Sequence, residues 1–185
     1  DRCKKAFIDD VIDDELIAKL SAKAFRQSTD LRSLFKILLY AGRRAYSRKD
    51  SKITIDDINY AYNILDKEVL KDMVSKLSEL ELILLNAIAN ASKQNGTWVE
   101  KEIVYRKYLT ICEKFSIPSV KWRTIISHVI PKLDYQGVIS TDIKGRGRGK
   151  GTTTYISLRD CSSDEIITMT EEEIEKRWRE ENPPA

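Results

Sequence analysis

Apolar residues recur three and four positions apart from the early chain to about residue 136 and alternate after that, so the pattern predicts helices first and two strands late. Asp13 and Asp14 can cap a helix from about Glu15 to Gln27 with Ile17, Leu20 and Ala24 on one stripe, stopped by the polar run Gln27-Ser28-Thr29-Asp30. A second helix follows. It carries Leu31, Leu34, Phe35, Leu38 and Ala45 on one face and Arg32, Lys36 and Arg43 on the other. Arg48 to Lys52 reads as a loop. Thr54 with Asp57 three positions later resembles a capping box and opens a helix bearing Ile55, Ile58, Tyr62 and Leu65. No convincing strand precedes residue 76.

A new unit starts there. Ser78 and Glu81 form a capping box ahead of Leu80, Ile83, Leu84, Ala87, Ile88 and Ala91, and Asn95-Gly96 ends that helix. Thr97-Trp98-Val99 reads as a short extended piece. Glu100 to Phe115 returns to helix with Val104, Tyr108, Ile111 and Phe115 facing inward, and Ile117-Pro118-Ser119 is a turn. The next predicted helix runs from about Ser119 to Gln136, with Trp122, Ile125, Ile126, Val129, Ile130 and Leu133 on its apolar face and Pro131 kinking it. Val138–Ile143 and Thr152–Leu158 read as strands joined by a Gly/Arg loop. Helix, short strand, helix, turn, helix, strand, hairpin loop, strand is the winged-helix order, which suits duplex DNA: the third helix enters the major groove and the hairpin reaches an adjacent groove. A last acidic helix is predicted over Thr170 to Glu181, capped by Thr170 and Glu173, with fraying of the final Asn-Pro-Pro-Ala. The expected division is a helical domain at 1–75, a winged helix at 76–160 and an acidic, partly helical tail at 161–185.

Composition narrows the class. With 185 residues and 42% hydrophobic side chains, the chain has material for one large or two small cores. Its apolar runs fall short of the roughly 20 residues needed to span a bilayer, and no signal peptide is legible. Cys3, Cys112 and Cys161 lie far apart without CxxC spacing, and a single histidine, His128, leaves little for a metal site or a nucleophilic triad. These features predict a protein of a reducing, cytoplasmic compartment, with no membrane partner and no metal or cofactor of its own. The start at Asp1 reads as a fragment. Net charge is only +3 overall, yet it is unevenly distributed: +2 over residues 1–96, +6 over 97–160 and −5 over 161–185. A basic middle beside an acidic end is what a module approaching a polyanion shows, although solvated surface charge gives the same count.

The loop Gly145-Arg146-Gly147-Arg148-Gly149-Lys150-Gly151 is the strongest chemical signal. Alternate glycines allow close backbone approach, and Lys144, Arg146, Arg148 and Lys150 concentrate positive charge there, which suits a narrow minor groove. A merely solvated loop is the bland alternative. It is no nucleotide-phosphate loop, because Gly149-Lys150 is followed by Gly151 and a strand. On the third helix, Ser119, Lys121, Arg123, Thr124, Ser127 and His128 lie off the apolar stripe and suit phosphate and base-edge contacts; an ordinary wet helix face is the alternative. Lys101, Arg106 and Lys107 could clamp backbone from the preceding helix. Trp98 and Trp122 are expected in the core. Carboxylate pairs such as Asp9/Asp10 and Asp56/Asp57 fit helix caps, and no catalytic constellation assembles.

Three stretches carry a family resemblance: Ser28-Thr29-Asp30-Leu31-Arg32 through Leu38 with Ala41-Gly42, then Ile53-Thr54-Ile55-Asp56-Asp57-Ile58, then Leu133-Asp134-Tyr135-Gln136-Gly137-Val138-Ile139 running into the basic wing. Together they resemble the C-terminal part of the archaeal origin-recognition initiators, an AAA+ family related to the eukaryotic origin recognition complex and its cell-division-cycle loader. The resemblance implies a mainly α fold: a helical AAA+ lid, a winged helix and a short acidic C-terminal helix. It further implies that Arg32 is the second-sensor arginine of the full-length protein, which would hold ATP or ADP with Mg in an ATPase core missing from this chain, so that the chain is no enzyme by itself. The implied partners are double-stranded origin DNA, other initiator subunits and the replicative helicase. Two other readings stay open: a winged-helix transcription regulator whose N-terminal helices dimerise, and a winged helix that binds protein.

Overall fold

The computed structural model describes residues 11–26, 30–145, 151–159 and 161–181, which form two compact units divided between Asp72 and Met73. Arg146, Arg148 and Lys150, the Gln27-Ser28-Thr29 break, Asp9/Asp10 and the terminal Asn-Pro-Pro-Ala lie outside the described residues.

In the first unit, α1 (Asp14–Arg26), α2 (Leu31–Ser47) and α3 (Ile55–Ser75) converge on one apolar cluster. Ile12, Leu16, Leu20, Ile37, Leu38, Ala41, Ile53, Ile58, Ala61 and Leu65 are all buried in it. Asp30 caps α2, its carboxylate accepting from the Ser33 N–H at 2.6 Å. The Thr54/Asp57 box forms as expected, and Asp57 does more than cap. Fully buried, it accepts from the Thr54 N–H at 2.9 Å and hydroxyl at 2.7 Å, and pairs with Arg48 at 2.8 Å. Burial pushes its carboxyl upward, but the Thr54 N–H and the Arg48 guanidinium outweigh that and hold it below the ordinary aspartate range. Two inward assignments fail: Leu31 is 56% exposed and Ile55 49% exposed. Both stand in a first helical turn, where the chain has not yet closed over the core.

The second unit is organised on α4 (Glu79–Asn95). Every residue from Glu81 to Ala89 is buried, so this helix has no solvent face in that stretch. The predicted capping box is present: the Ser78 N–H donates to Glu81 at 2.8 Å. Around α4 pack β1 (Val99–Glu100), α5 (Lys101–Lys114), a strand pair and the last helix. The pair consists of β2 (Ile139–Gly145) and β3 (Thr152–Leu158), antiparallel from Ile139 opposite Leu158 to Gly145 opposite Thr152. β1 adds to the other edge of β3, giving the order β1-β3-β2.

Between α5 and β2 runs α6, a continuous helical stretch over 122–135 whose middle, Ile125–Val129, is a π-turn. The Ile130 N–H bonds the Ile125 carbonyl five residues back. Pro131 explains this local widening: it has no N–H to donate, and its ring would strike the Ser127 carbonyl in a regular α-turn. A π-turn therefore stands where a kink is predicted. It also advances the helix phase, so burial falls on Ile125, Val129, Ile130 and Leu133, while Ile126 is 37% exposed rather than on the apolar face. The helix starts at Trp122 with Lys121 as its N-cap, so Ser119 precedes it. The turn ahead is fastened by two tyrosines of α5. Tyr108, fully buried, accepts the Val120 N–H at 3.0 Å, and the Tyr105 hydroxyl donates to the Val120 carbonyl at 3.3 Å. Trp122 packs against Tyr105 with ring centroids 5.4 Å apart.

The C-terminal helix, α7 (Ser163–Glu181), begins seven residues earlier than predicted. Ser162 caps it, accepting the Glu165 N–H at 3.2 Å, and Thr170 is a fully buried mid-helix residue instead of a cap. α7 covers α4: Asn86 donates to the Thr170 hydroxyl at 2.8 Å, Lys93 pairs with Asp164, and Arg177 donates to the carbonyls of Leu77 and Ser75 at 2.8 and 2.9 Å.

Two outcomes test this packing. Thr170→Val leaves the buried Asn86 amide without its acceptor and should cost about 1–3 kcal/mol in chemical denaturation. Burial raises the Tyr108 hydroxyl from 10.0 to about 12. Since the folded value lies above the unfolded one, this contribution is complete below pH 10 and is lost as pH rises toward about 12. Melts across that range should show the loss, and Tyr108→Phe should abolish that component while costing about 1 kcal/mol at neutral pH.

Candidate nucleic-acid interface

The turn fastened by Tyr105 and Tyr108 presents the start of α6, and with it Ser119, Lys121, Arg123, Thr124, Ser127 and His128, all exposed. From Lys121 to His128 they share the outward side of one helical run, and Ser119 stands just ahead of it in the loop. The Ser127 hydroxyl donates to the Arg123 carbonyl at 2.8 Å. Its proton is thus engaged, and outward it offers lone pairs, which suit a base amino group better than a phosphate.

Charge pairing separates the cations of this unit into two groups. Lys93, Lys114, Lys132, Arg159 and Arg177 each face a carboxylate, at 2.5, 2.7, 2.6, 3.5 and 2.9 Å. Lys121 and Arg123 have no carboxylate partner among the described residues, and neither does Arg106 on α5. Lys132 repays its partner: the carboxyl of Glu81 is pushed up by burial, yet Lys132 and the Ser78 N–H hold it below the usual range, tying α6 to the first turn of α4.

Lys144, the last described cation of the wing, is exposed near the end of β2. It pairs with Asp142 at 3.3 Å and lies over the Tyr155 ring at 5.3 Å. The base of the wing is joined to the end of α6. Gly137, at φ +75°, closes the helix: its N–H donates to the Asp134 carbonyl at 2.9 Å and the Val138 N–H to the Leu133 carbonyl at 3.1 Å. The Asp134 carboxylate accepts from the Thr141 hydroxyl at 2.9 Å and faces Arg159 at 3.5 Å, while the Arg159 Nε donates to the Ser140 hydroxyl at 3.0 Å. Periodicity holds no signal for these links, which join residues 7 and 19 positions apart.

Other expectations fare differently. Trp98 is 43% exposed and so stands outside the core, because the two-residue strand β1 is too short to carry it under a neighbour. Trp122 is half-buried. Tyr135, 94% exposed at the end of α6, is a surface aromatic that the sequence pattern leaves unmarked. In the first unit Arg32 is exposed in the first turn of α2. Among the described residues no helix is long and apolar enough to cross a membrane, and no group of three His, Cys, Asp or Glu is placed to hold a metal ion.

Comparison with known proteins gives the lineage. Residues 72–169 match the family described as "CDC6, C terminal winged helix domain", and residues 1–63 match "Cdc6 AAA+ ATPase-type lid domain". The chain is 31% identical over 175 residues to the ORC1-type DNA replication protein 1 of Sulfolobus acidocaldarius, covering 95% of this chain and 43% of that protein. It is 28% identical over 179 residues to the protein of the same name from Sulfurisphaera tokodaii, covering 96% and 44%. The fold superposes on the Aeropyrum pernix ORC1 protein, solved in complex with DNA, with a TM-score of 0.74 at 22% identity, over 93% of this chain and 44% of that one. The chain thus spans less than half the length of these relatives. With its helical lid, its three-stranded winged helix and both family matches in register, this chain belongs to the ORC1/Cdc6 family of replication initiators, as their lid and winged-helix region.

Proposed function

We propose that the second unit binds double-stranded origin DNA, with α6 as the recognition helix in the major groove and the Gly/Arg wing against an adjacent groove. The observation that carries this reading is the outward side of α6 and its N-cap, where Arg123 and Lys121 stand exposed without a carboxylate partner among the described residues while Lys132 and Arg159 of the same unit are paired. Lys121 and Arg123 serve phosphates. Ser127 accepts from a base edge, Ser119, Thr124 and His128 meet phosphates or base edges, and Lys144, Arg146, Arg148 and Lys150 extend the contact along the wing. The relative solved with DNA supports a duplex ligand, and membership of an initiator family favours replication over transcription control.

In the whole protein, Arg32 reaches nucleotide phosphates from the lid as a second sensor, and ATP or ADP with Mg is held by an ATPase core that the two family matches do not include. The lid and winged helix therefore act as a binding module. Other initiator subunits and the replicative helicase are the partners of the complete protein, in the cytoplasm at the nucleoid.

Fluorescence anisotropy on a labelled duplex tests the reading. Wild-type affinity should fall steeply between about 50 and 200 mM salt as counterions are released. Lys121→Ala with Arg123→Ala should weaken binding and reduce the slope of log K against log salt by about 2, the value for two phosphate contacts. Arg146→Ala with Arg148→Ala should weaken it likewise while leaving the melting temperature within a degree or two. Unchanged affinity in both pairs overturns the assignment of the interface.

A further inference from the structure

Asp134 is an anomaly twice over. A carboxylate in the last turn of a helix faces the negative end of the macrodipole, and on a unit that approaches phosphates it adds repulsion. Its partners resolve the anomaly. Within a few ångströms it joins three parts of the chain: the end of α6, the start of β2 through Thr141 at 2.9 Å, and the residue after β3 through Arg159 at 3.5 Å. Arg159 is held in turn by the Ser140 hydroxyl at 3.0 Å and by its own N–H on the Val138 carbonyl at 2.9 Å.

From this arrangement we infer that Asp134 is a positioning residue: with Thr141 and Arg159 it latches the wing at a fixed angle to the recognition helix. The inference rests on the DNA-binding reading above for its consequence, and on geometry alone for the latch itself. The side chains are half-exposed, 47% for Arg159 and 34% for Asp134, so solvent screens the pair and it adds little to folding stability. What it fixes is direction. The inner ends of β2 and β3 are already held, with Ile139 and Ile156 fully buried against the core, but β1 pairs with β3 only at Val99 and Glu100, and beyond those residues the latch adds its restraint to the swing of the ribbon. A wing aimed before contact loses less freedom on binding than one that must be captured.

The sign of the effect separates this role from simple electrostatics. Asp134→Ala and Asp134→Asn raise the net charge equally, and if charge alone mattered both would tighten duplex binding by the same factor. The latch requires the reverse. Asp134→Ala should weaken anisotropy-measured binding about tenfold, whereas Asp134→Asn, whose amide oxygen still accepts from Thr141, should recover part of the loss. Thr141→Val should weaken it in the same direction, and the melting temperatures should stay within a few degrees of wild type. Residual dipolar couplings of the free protein give the readout independent of DNA: in Asp134→Ala the amides of β2 and β3 should show scaled-down couplings relative to α6. Equal tightening by both Asp134 variants, or an unchanged hairpin orientation in Asp134→Ala, overturns the latch. A wild-type protein that fails to bind duplex refutes the proposed function instead, and the couplings then decide the latch alone.

Discussion

The winged-helix unit depends on the burial of α4 on every side from Glu81 to Ala89. A helix with apolar or small residues on every side from Leu82 to Ala89, apart from Asn86, is unstable unless other elements surround it. α5, the sheet and α7 do so, and the two polar side chains inside that stretch are answered: Asn86 by Thr170 and Asn90, Glu81 by Ser78 and Lys132. The acidic C-terminal segment is thereby part of the core it covers. Its negative charge stands on α7, which packs mainly on α4, while Lys121, Arg123 and Arg106, without a carboxylate partner among the described residues, stand at the start of α6 and on α5.

From that core the surface helix is placed by few, specific contacts. Tyr105 and Tyr108 hold both polar groups of Val120 and so fix where α6 begins. Lys132 ties its later half to Glu81, and the π-turn before Pro131 sets which residues face inward. A regular helix with Ile126 inward would rotate the polar side by one residue; the π-turn keeps Ile125, Val129 and Ile130 buried together and leaves Thr124, Ser127 and His128 outside. Backbone chemistry at a proline thus reaches the surface as the choice of exposed side chains.

Much of this was legible in the sequence because it is local. Capping residues marked the starts of α3 and α4, period-3.6 runs marked the helices, and alternation with a glycine-rich break marked the hairpin, whose strands lie within two residues of the expected positions. The misses are tertiary. Thr170 reads as a cap by its neighbours, yet a partner 84 residues away makes it a core group. Trp98, apolar by type, stands in the bend just before the two-residue strand β1 and stays 43% exposed. The outward residues of α6 follow from the apolar stripe, but which cations keep their charge free depends on carboxylates such as Asp134 and Glu81 brought in by folding.

Amide hydrogen exchange of the chain with and without a duplex addresses the central claim most directly, because it reports every segment at once. The account predicts that DNA slows exchange around 119–128 and along β2 and β3, and leaves α7 unchanged. Protection confined to α7 or to the lid helices, with α6 and the hairpin exchanging as in the free protein, would contradict it.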